Sequence, residues 1–144
     1  MTISGPGVGE DKPKEVPFPK MPKGAGDMDK DAPKSFTTTE SGLKYRILRK
    51  GNEKMPTAKN SVKVNYHGWL DSGKVFDSSY DRNEPIAFPL NRVIKGWTEG
   101  MQLVGTGGMI ELEIPAKLGY GEGGQGPIPG GATLHFLVEL LEIK

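Results

Sequence analysis

From Ser41 onward, apolar and polar residues alternate in several short runs. In residues 42–48, "GLKYRIL", Leu43, Tyr45 and Ile47 alternate with Lys44, Arg46 and Leu48, the period of two expected of a strand. In residues 61–70, "SVKVNYHGWL", Val62, Val64, Tyr66, Gly68 and Leu70 fall on one face, and Lys63, Asn65 and His67 on the other. "MIELEIP", residues 109–115, turns Ile110, Leu112 and Ile114 inward and Glu111 and Glu113 outward. "TLHFLVELLEI", residues 133–143, aligns Leu134, Phe136, Val138 and Leu140, while "EPIAFPL", residues 84–90, is a shorter strand limited by its prolines. Turn sequences such as "DSGK" and "GTGG" separate the runs, which predicts an antiparallel sheet. One stretch has a different period. Residues 91–104, "NRVIKGWTEGMQLV", place Val93, Trp97, Met101 and Val104 at helical spacing. Gly96 and Gly100 make this a weak helix that needs a surface to pack on. The expected fold is α+β, mainly β: a strongly bent antiparallel sheet wrapped around one short helix.

Residues 1–35 have neither period and hold six Pro, five Gly, six Lys and six Asp or Glu. Such a stretch buries little apolar surface to offset its ordering entropy. The expectation is a disordered tail over residues 1–35 and a single domain over 36–144. The net charge of +1 gives no field to draw nucleic acid or an acidic membrane. The absence of cysteine excludes disulfides, a thiol nucleophile and thiolate metal sites. No apolar run is long enough to span a bilayer and no leader pattern opens the sequence. A cytoplasmic monomer is expected, or a cell-envelope protein if a leader has been removed.

The familiar catalytic sets are missing. His67 and His135 lie on strands without a second ligand at metal spacing, so each is expected at a surface or core edge. "GEGGQG" lacks the Lys-Ser/Thr end of a phosphate loop and precedes a strand. What the sequence offers is bulky apolar side chains in irregular places. Trp97 sits on a glycine-flanked helix, Tyr120 beside a glycine-rich loop, and Ile128 in that loop before Pro129. Bulky apolar residues in loops often face ligands. Asp77 follows Phe76, with Arg82 five residues on. It reads as either a surface turn with an ion pair or a carboxylate at a pocket rim, held ionised by Arg82.

The motifs "VNYHGWLDSGKVFDSSYDRNEPIAF", "VIKGWTEGM", "GYGEGG" and "PIPGGATLHFLVELLEI" resemble, in order, those of the FKBP-type peptidyl-prolyl cis-trans isomerases. The resemblance runs from about Ser41 to Lys144 and implies that family's bent sheet around a short helix. It implies a hydrophobic pocket with Trp97 as floor and Tyr66, Phe76, Phe88, Val93, Ile94, Ile128 and Phe136 as walls. Tyr120 would offer a hydroxyl, Ile94 its backbone N–H, and Asp77 a carboxylate braced by Tyr66 and Arg82. Asp77, Tyr120, Trp97 and Phe136 would be the catalytic set, and Ile128 a flap over the pocket. Ile86 would also contact substrate, although many relatives carry an aromatic residue there. Pro127 stands where many carry a bulky aliphatic, and Leu118 also replaces an aromatic. The loop from Gly121 to Ile128 is too short for an inserted domain.

The implied reaction is isomerisation of Xaa-Pro bonds in proline-containing polypeptides, assisting folding, with no cofactor or metal. Rapamycin and tacrolimus are the implied inhibitors. The alternative is a non-catalytic proline-peptide-binding or chaperone module using the same pocket. The tail adds a further expectation. Val16-Pro17, Phe18-Pro19 and Met21-Pro22 have the chemistry such a pocket takes. A flexible linker of about 23 residues, with an r.m.s. span of about 25 Å, would let the Phe18-Pro19 step reach it.

Overall fold

The computed structural model describes residues 14–144. Seven strands form one antiparallel sheet: β1 (Thr37–Thr38), β2 (Lys44–Arg49), β3 (Ser61–Leu70), β4 (Val75–Ser78), β5 (Ile86–Pro89), β6 (Met109–Ile114) and β7 (Leu134–Ile143). Their order is β1-β2-β6-β7-β3-β4, and β5 pairs with the first half of β3. The one α-helix among the described residues, α1 (Lys95–Gly100), continues into a 3-10 turn at Met101–Leu103.

The inner face follows the period-two reading. Val62, Val64, Leu112, Ile114, Leu134, Val138 and Leu140 are fully buried there, with Phe136 and Tyr66 beside them. The helix closes this face, and its glycines set how closely. A Cβ on Gly96 would lie 2.6 Å from Ile114, and one on Gly100 would lie 2.7 Å from Leu112. The same glycines that weaken the helix by about 1 kcal/mol each relative to alanine therefore let its backbone approach the sheet.

The outer face departs from expectation. Glu111, read as facing out, is 5% exposed, and Arg46 is 1% exposed. The cover is the segment expected to be disordered. From residue 14 to residue 35 it lies against the sheet, so the expected tail is corrected there; residues 1–13 lie outside the described residues. Phe18, Met21, Ala25, Met28 and Ala32 pack on Leu48, Met109 and Leu137, contributed by β2, β6 and β7. The two ends of the segment meet, with Val16 N–H donating to the Lys34 carbonyl at 2.8 Å.

Arg46 fastens that closure. Its guanidinium donates to the carbonyls of Val16, Pro17 and Lys34 at 2.8, 3.0 and 2.9 Å and to Glu111 at 2.7 Å. Its flat faces meet the rings of Phe18 and Phe36, at 4.6 and 4.4 Å from the ring centres. Burial pushes the Glu111 carboxyl above its ordinary range, against the pull of Arg46. The segment is thus ordered by side-chain donors that satisfy an irregular backbone, together with a few apolar contacts.

Replacing Arg46 by alanine is expected to leave Glu111 buried without its ion-pair partner and the Val16 and Pro17 carbonyls without the donor Arg46 supplies, while the Lys34 carbonyl keeps the Val16 N–H. The expected cost is about 3–5 kcal/mol, read from urea unfolding. In the folded variant, protease should cut within residues 14–36 well before it cuts the intact protein.

Candidate functional site

The pocket opens on the inner face above α1. Trp97 forms its floor at 4% exposed. Tyr66, Phe88 and Phe136 stand nearly edge-on to it, with ring centres at 5.5, 5.5 and 5.3 Å. Phe76 meets Phe136 in the same way at 5.5 Å. Edge-to-face contacts of this kind hold each ring by its neighbours. Four elements contribute. Tyr66 comes from β3, Phe76 from β4, Phe88 from β5 and Phe136 from β7. Gly68 makes the crossing feasible, because a Cβ there would fall 2.7 Å from Phe76 and 2.8 Å from Phe136.

Val93 and Ile94 enter just before the helix, and Ile128 enters from the loop between the Ala116–Leu118 turn and β7. That loop folds back on itself through paired bonds between Gln125 and Ile128, N–H to carbonyl at 2.9 and 2.8 Å. Gly124, at φ 70°, sits where a Cβ would lie 2.4 Å from the Ile128 carbonyl oxygen. Ile128 is 7% exposed and belongs to the main core. The glycines shape the turn, and Ile128 anchors it.

The pocket measures about 870 Å³. It brings together every residue singled out from the sequence: Asp77, Tyr120, Trp97 and Phe136, with Tyr66, Phe76, Arg82, Ile86, Phe88, Val93, Ile94 and Ile128. Arg82, Ile86 and Tyr120 are the exposed ones, at the mouth. Sequence reasoning passed over Arg92, Gln125 and Gly126 as lining residues and treated Pro127 only as a departure. Arg92 directly precedes Val93 and Ile94, and that adjacency was the available signal.

One wall is polar. Arg82 donates to Asp77 Oδ1 at 2.7 Å and to the Tyr66 hydroxyl at 3.2 Å, and that hydroxyl donates to Asp77 Oδ2. Asp77 lies in β4, not in a turn; it pairs with Arg82 and lines the pocket. Partial burial pushes the Asp77 carboxyl up, but the bonds from Tyr66 and Arg82 and the charge of Arg82 outweigh it, so it is held below the ordinary carboxylate value. Burial and the bond to Asp77 raise the Tyr66 phenol. Among the donors facing the pocket, the Tyr120 hydroxyl and the Ile94 N–H have no acceptor among the described residues.

The histidines take no part in the pocket. His67 Nδ1 pairs with Ser78 Oγ at 2.8 Å and His135 Nε2 with Asp71 at 2.6 Å, with Trp69 stacked on His135. Among the described residues no group of three His, Asp or Glu could hold a metal ion, and no helix is long and apolar enough to cross a membrane. The expected reach of Phe18-Pro19 into the pocket is also corrected. Phe18 is held on the opposite face of the sheet by Arg46 and the Leu48 cluster.

A curled antiparallel sheet closed by one short helix, with an indole floor and aromatic walls, defines the class. The sequence pattern of the FKBP-type peptidyl-prolyl cis-trans isomerases matches residues 52–141, and the chain belongs to that family. It is 52% identical over 107 residues to the isomerase FkpA of Aeromonas hydrophila, covering 74% of this chain and 40% of that protein. It is 50% identical over 107 residues to the 22 kDa isomerase of Escherichia coli, covering 74% of this chain and 52% of that protein. The crystal structure of Escherichia coli FkpA superposes with a TM-score of 0.74 at 46% identity, covering 76% of this chain and 51% of that one. A peptidyl-prolyl isomerase from Pseudomonas syringae superposes at 0.70 with 34% identity, covering 76% and 80%. The chain thus spans about two fifths to a half of the curated relatives it matches.

Two outcomes follow from the geometry. Titration of a Leu-Pro peptide should change the fluorescence of Trp69→Phe, in which Trp97 remains, and leave that of Trp97→Phe nearly flat. The reverse pattern would place the ligand on the outer face. The Asp77 pKa is lowered on folding, so its contribution to stability is complete above the unfolded value of 3.8. That contribution is lost as pH falls through the folded value. An NMR titration of the Asp77 carboxyl should therefore show it ionised at pH 4, with its midpoint below that of an exposed aspartate.

Proposed function

We propose that this chain catalyses cis–trans isomerisation of Xaa-Pro bonds in polypeptides and so assists their folding. The observation that carries this reading is the pairing of an apolar aromatic floor with the Tyr120 hydroxyl and the Ile94 N–H, donors with no acceptor among the described residues, in one pocket.

The barrier to rotating an Xaa-Pro bond comes from amide resonance, is roughly 20 kcal/mol, and leaves the spontaneous reaction taking tens to hundreds of seconds. Catalysis requires that the twisted amide be held better than either planar form. The twisted amide is less dipolar, so an apolar pocket suits it. The prolyl ring can rest on Trp97 with Tyr66, Phe88 and Phe136 around it. The Ile94 N–H and the Tyr120 hydroxyl can take substrate carbonyls and fix the chain on either side of the rotating bond. Asp77 is ionised at neutral pH, so it does not serve there as a proton donor. Its bonds to Tyr66 and Arg82 make that wall stiff and polar, against which the twisting carbonyl is oriented. Lowering the barrier by about 5.5 kcal/mol would speed the reaction roughly ten-thousand-fold.

The same reading takes rapamycin and tacrolimus as competitors for the pocket and the protein as a monomer. It is tested by a protease-coupled assay on a Leu-Pro-Phe peptide. The parent should speed isomerisation, and Tyr120→Phe and Asp77→Ala should each lower kcat/KM by about 2- to 10-fold, the worth of one hydrogen bond. Peptide binding with turnover no faster than the spontaneous rate would instead make the chain a binding module.

A further inference from the structure

The docked N-terminal segment and the pocket lie on opposite faces of the sheet, and one turn connects them. Residues 79–84 follow β4 and fold into a compact knot. Ser79 N–H donates to the Tyr66 carbonyl at 2.9 Å, and Ser79 Oγ accepts from Tyr66 N–H at 2.8 Å. Arg82 and Glu84 N–H both return to the Ser79 carbonyl at 3.2 Å, and Asn83 N–H returns to that of Tyr80 at 3.1 Å. Asn83 takes the left-handed conformation, at φ 51°. One end of the knot carries Arg82 into the pocket wall. The other end carries Tyr80 to the outer face.

Tyr80 is 6% exposed, and its hydroxyl donates to Glu139 Oε1 at 2.5 Å. Glu139 is equally buried, at 6%. Its second oxygen accepts from Arg49 Nη2 at 2.7 Å and from the Gly26 N–H of the N-terminal segment at 3.2 Å. Arg49 in turn holds the Asp27 carbonyl at 2.9 Å. Gly24, at φ 99°, lies beside the Tyr80 ring, close enough that a Cβ on it would be 3.7 Å from Cδ1. The segment therefore supplies both a donor to Glu139 and part of the cover over Tyr80. Without it, Glu139 loses a partner and Tyr80 opens to water.

We infer that the N-terminal segment is a working part of the pocket: it seats Tyr80 against Glu139 and so fixes the turn that presents Arg82 to Asp77. Tyr80 and Glu139 are then positioning residues for the isomerisation proposed above, on which this inference rests. Arg82 is half-exposed and touches only Asp77 and Tyr66. Its tip is held by those bonds and lies 6.0 Å from the Tyr66 ring centre, while the backbone of the knot sets where its side chain starts. Small displacements of such a group are costly to catalysis. The segment also precedes the family-matched residues 52–141, so that pattern does not contain it.

The test uses two substitutions in the full chain. A Cβ in Gly26→Ala would lie 2.6 Å from Arg49 Nη1 and 3.0 Å from Glu139 Oε2, displacing the side-chain tips that tie the segment to Glu139. Tyr80→Phe keeps the ring and removes the hydroxyl. Either should lower kcat/KM on a Leu-Pro peptide by about 2- to 10-fold and move the Asp77 titration up towards that of a free aspartate. The double variant should do little more than the stronger single one, since both act through Glu139. A purely covering role predicts lower thermal stability with kcat/KM and the Asp77 titration unchanged well below the melting temperature, and that result overturns the inference. If Gly26→Ala fails to fold, Tyr80→Phe decides alone. A parent that does not accelerate isomerisation removes the functional reading, and the Asp77 titration of the variants then decides the coupling by itself.

Discussion

The pocket depends on how near a six-residue helix can come to a sheet. A helix this short does not hold itself together in water, so its shape and place come from packing. Gly96 against Ile114 and Gly100 against Leu112 permit a separation that a single methyl group would spoil. That closeness puts the Trp97 indole among rings from β3, β5 and β7. With the helix farther out, Tyr66, Phe88 and Phe136 would each lose the surface they stand on. Gly68 does the same on the sheet side, where it gives Phe76 and Phe136 room to meet. The site is rigid because three glycines remove the bulk that would keep its parts separate.

The sheet is buried on both faces, by different means. Inside, aliphatic and aromatic groups exclude water. Outside, a segment without repeating structure is tied down by two arginines. Arg46 closes its ends, and Arg49 with Glu139 holds its middle. Leu48, Met109 and Leu137 give it an apolar seat. This arrangement lets a stretch rich in proline and lysine stay ordered. Its carbonyls need donors, and guanidinium groups are well shaped to give several at once.

Much of the inner face was legible because period two and burial are the same fact there. Val62, Val64, Ile110, Leu112 and Ile114 announce their side by alternation alone. The outer face was not legible for the same reason. Glu111 reads as facing water, with Arg46 on the polar side of its strand, and a polar residue looks alike in sequence whether it meets solvent or an irregular backbone. Residues 14–35 carry no period because they form no repeating element, yet absence of a period is not absence of order. Within the site, Trp97, Tyr120 and Ile128 stood out as bulky groups in unexpected places, and the family resemblance gathered the others around them. Arg92 and Gln125 are polar residues of ordinary turns, and only the fold shows that they border the pocket.

The seat of the N-terminal segment has a consequence for the order of assembly. Leu48 belongs to β2, but Met109 and Leu137 belong to β6 and β7. During synthesis residues 14–36 therefore leave the ribosome long before the platform that receives them is complete. They must wait in the nascent chain, with Phe18 and Met21 exposed, until the last strand has entered the sheet. The earliest of these residues to be made are thus among the last to be placed, and in that interval their apolar-proline steps are open to any folding helper near the exit tunnel.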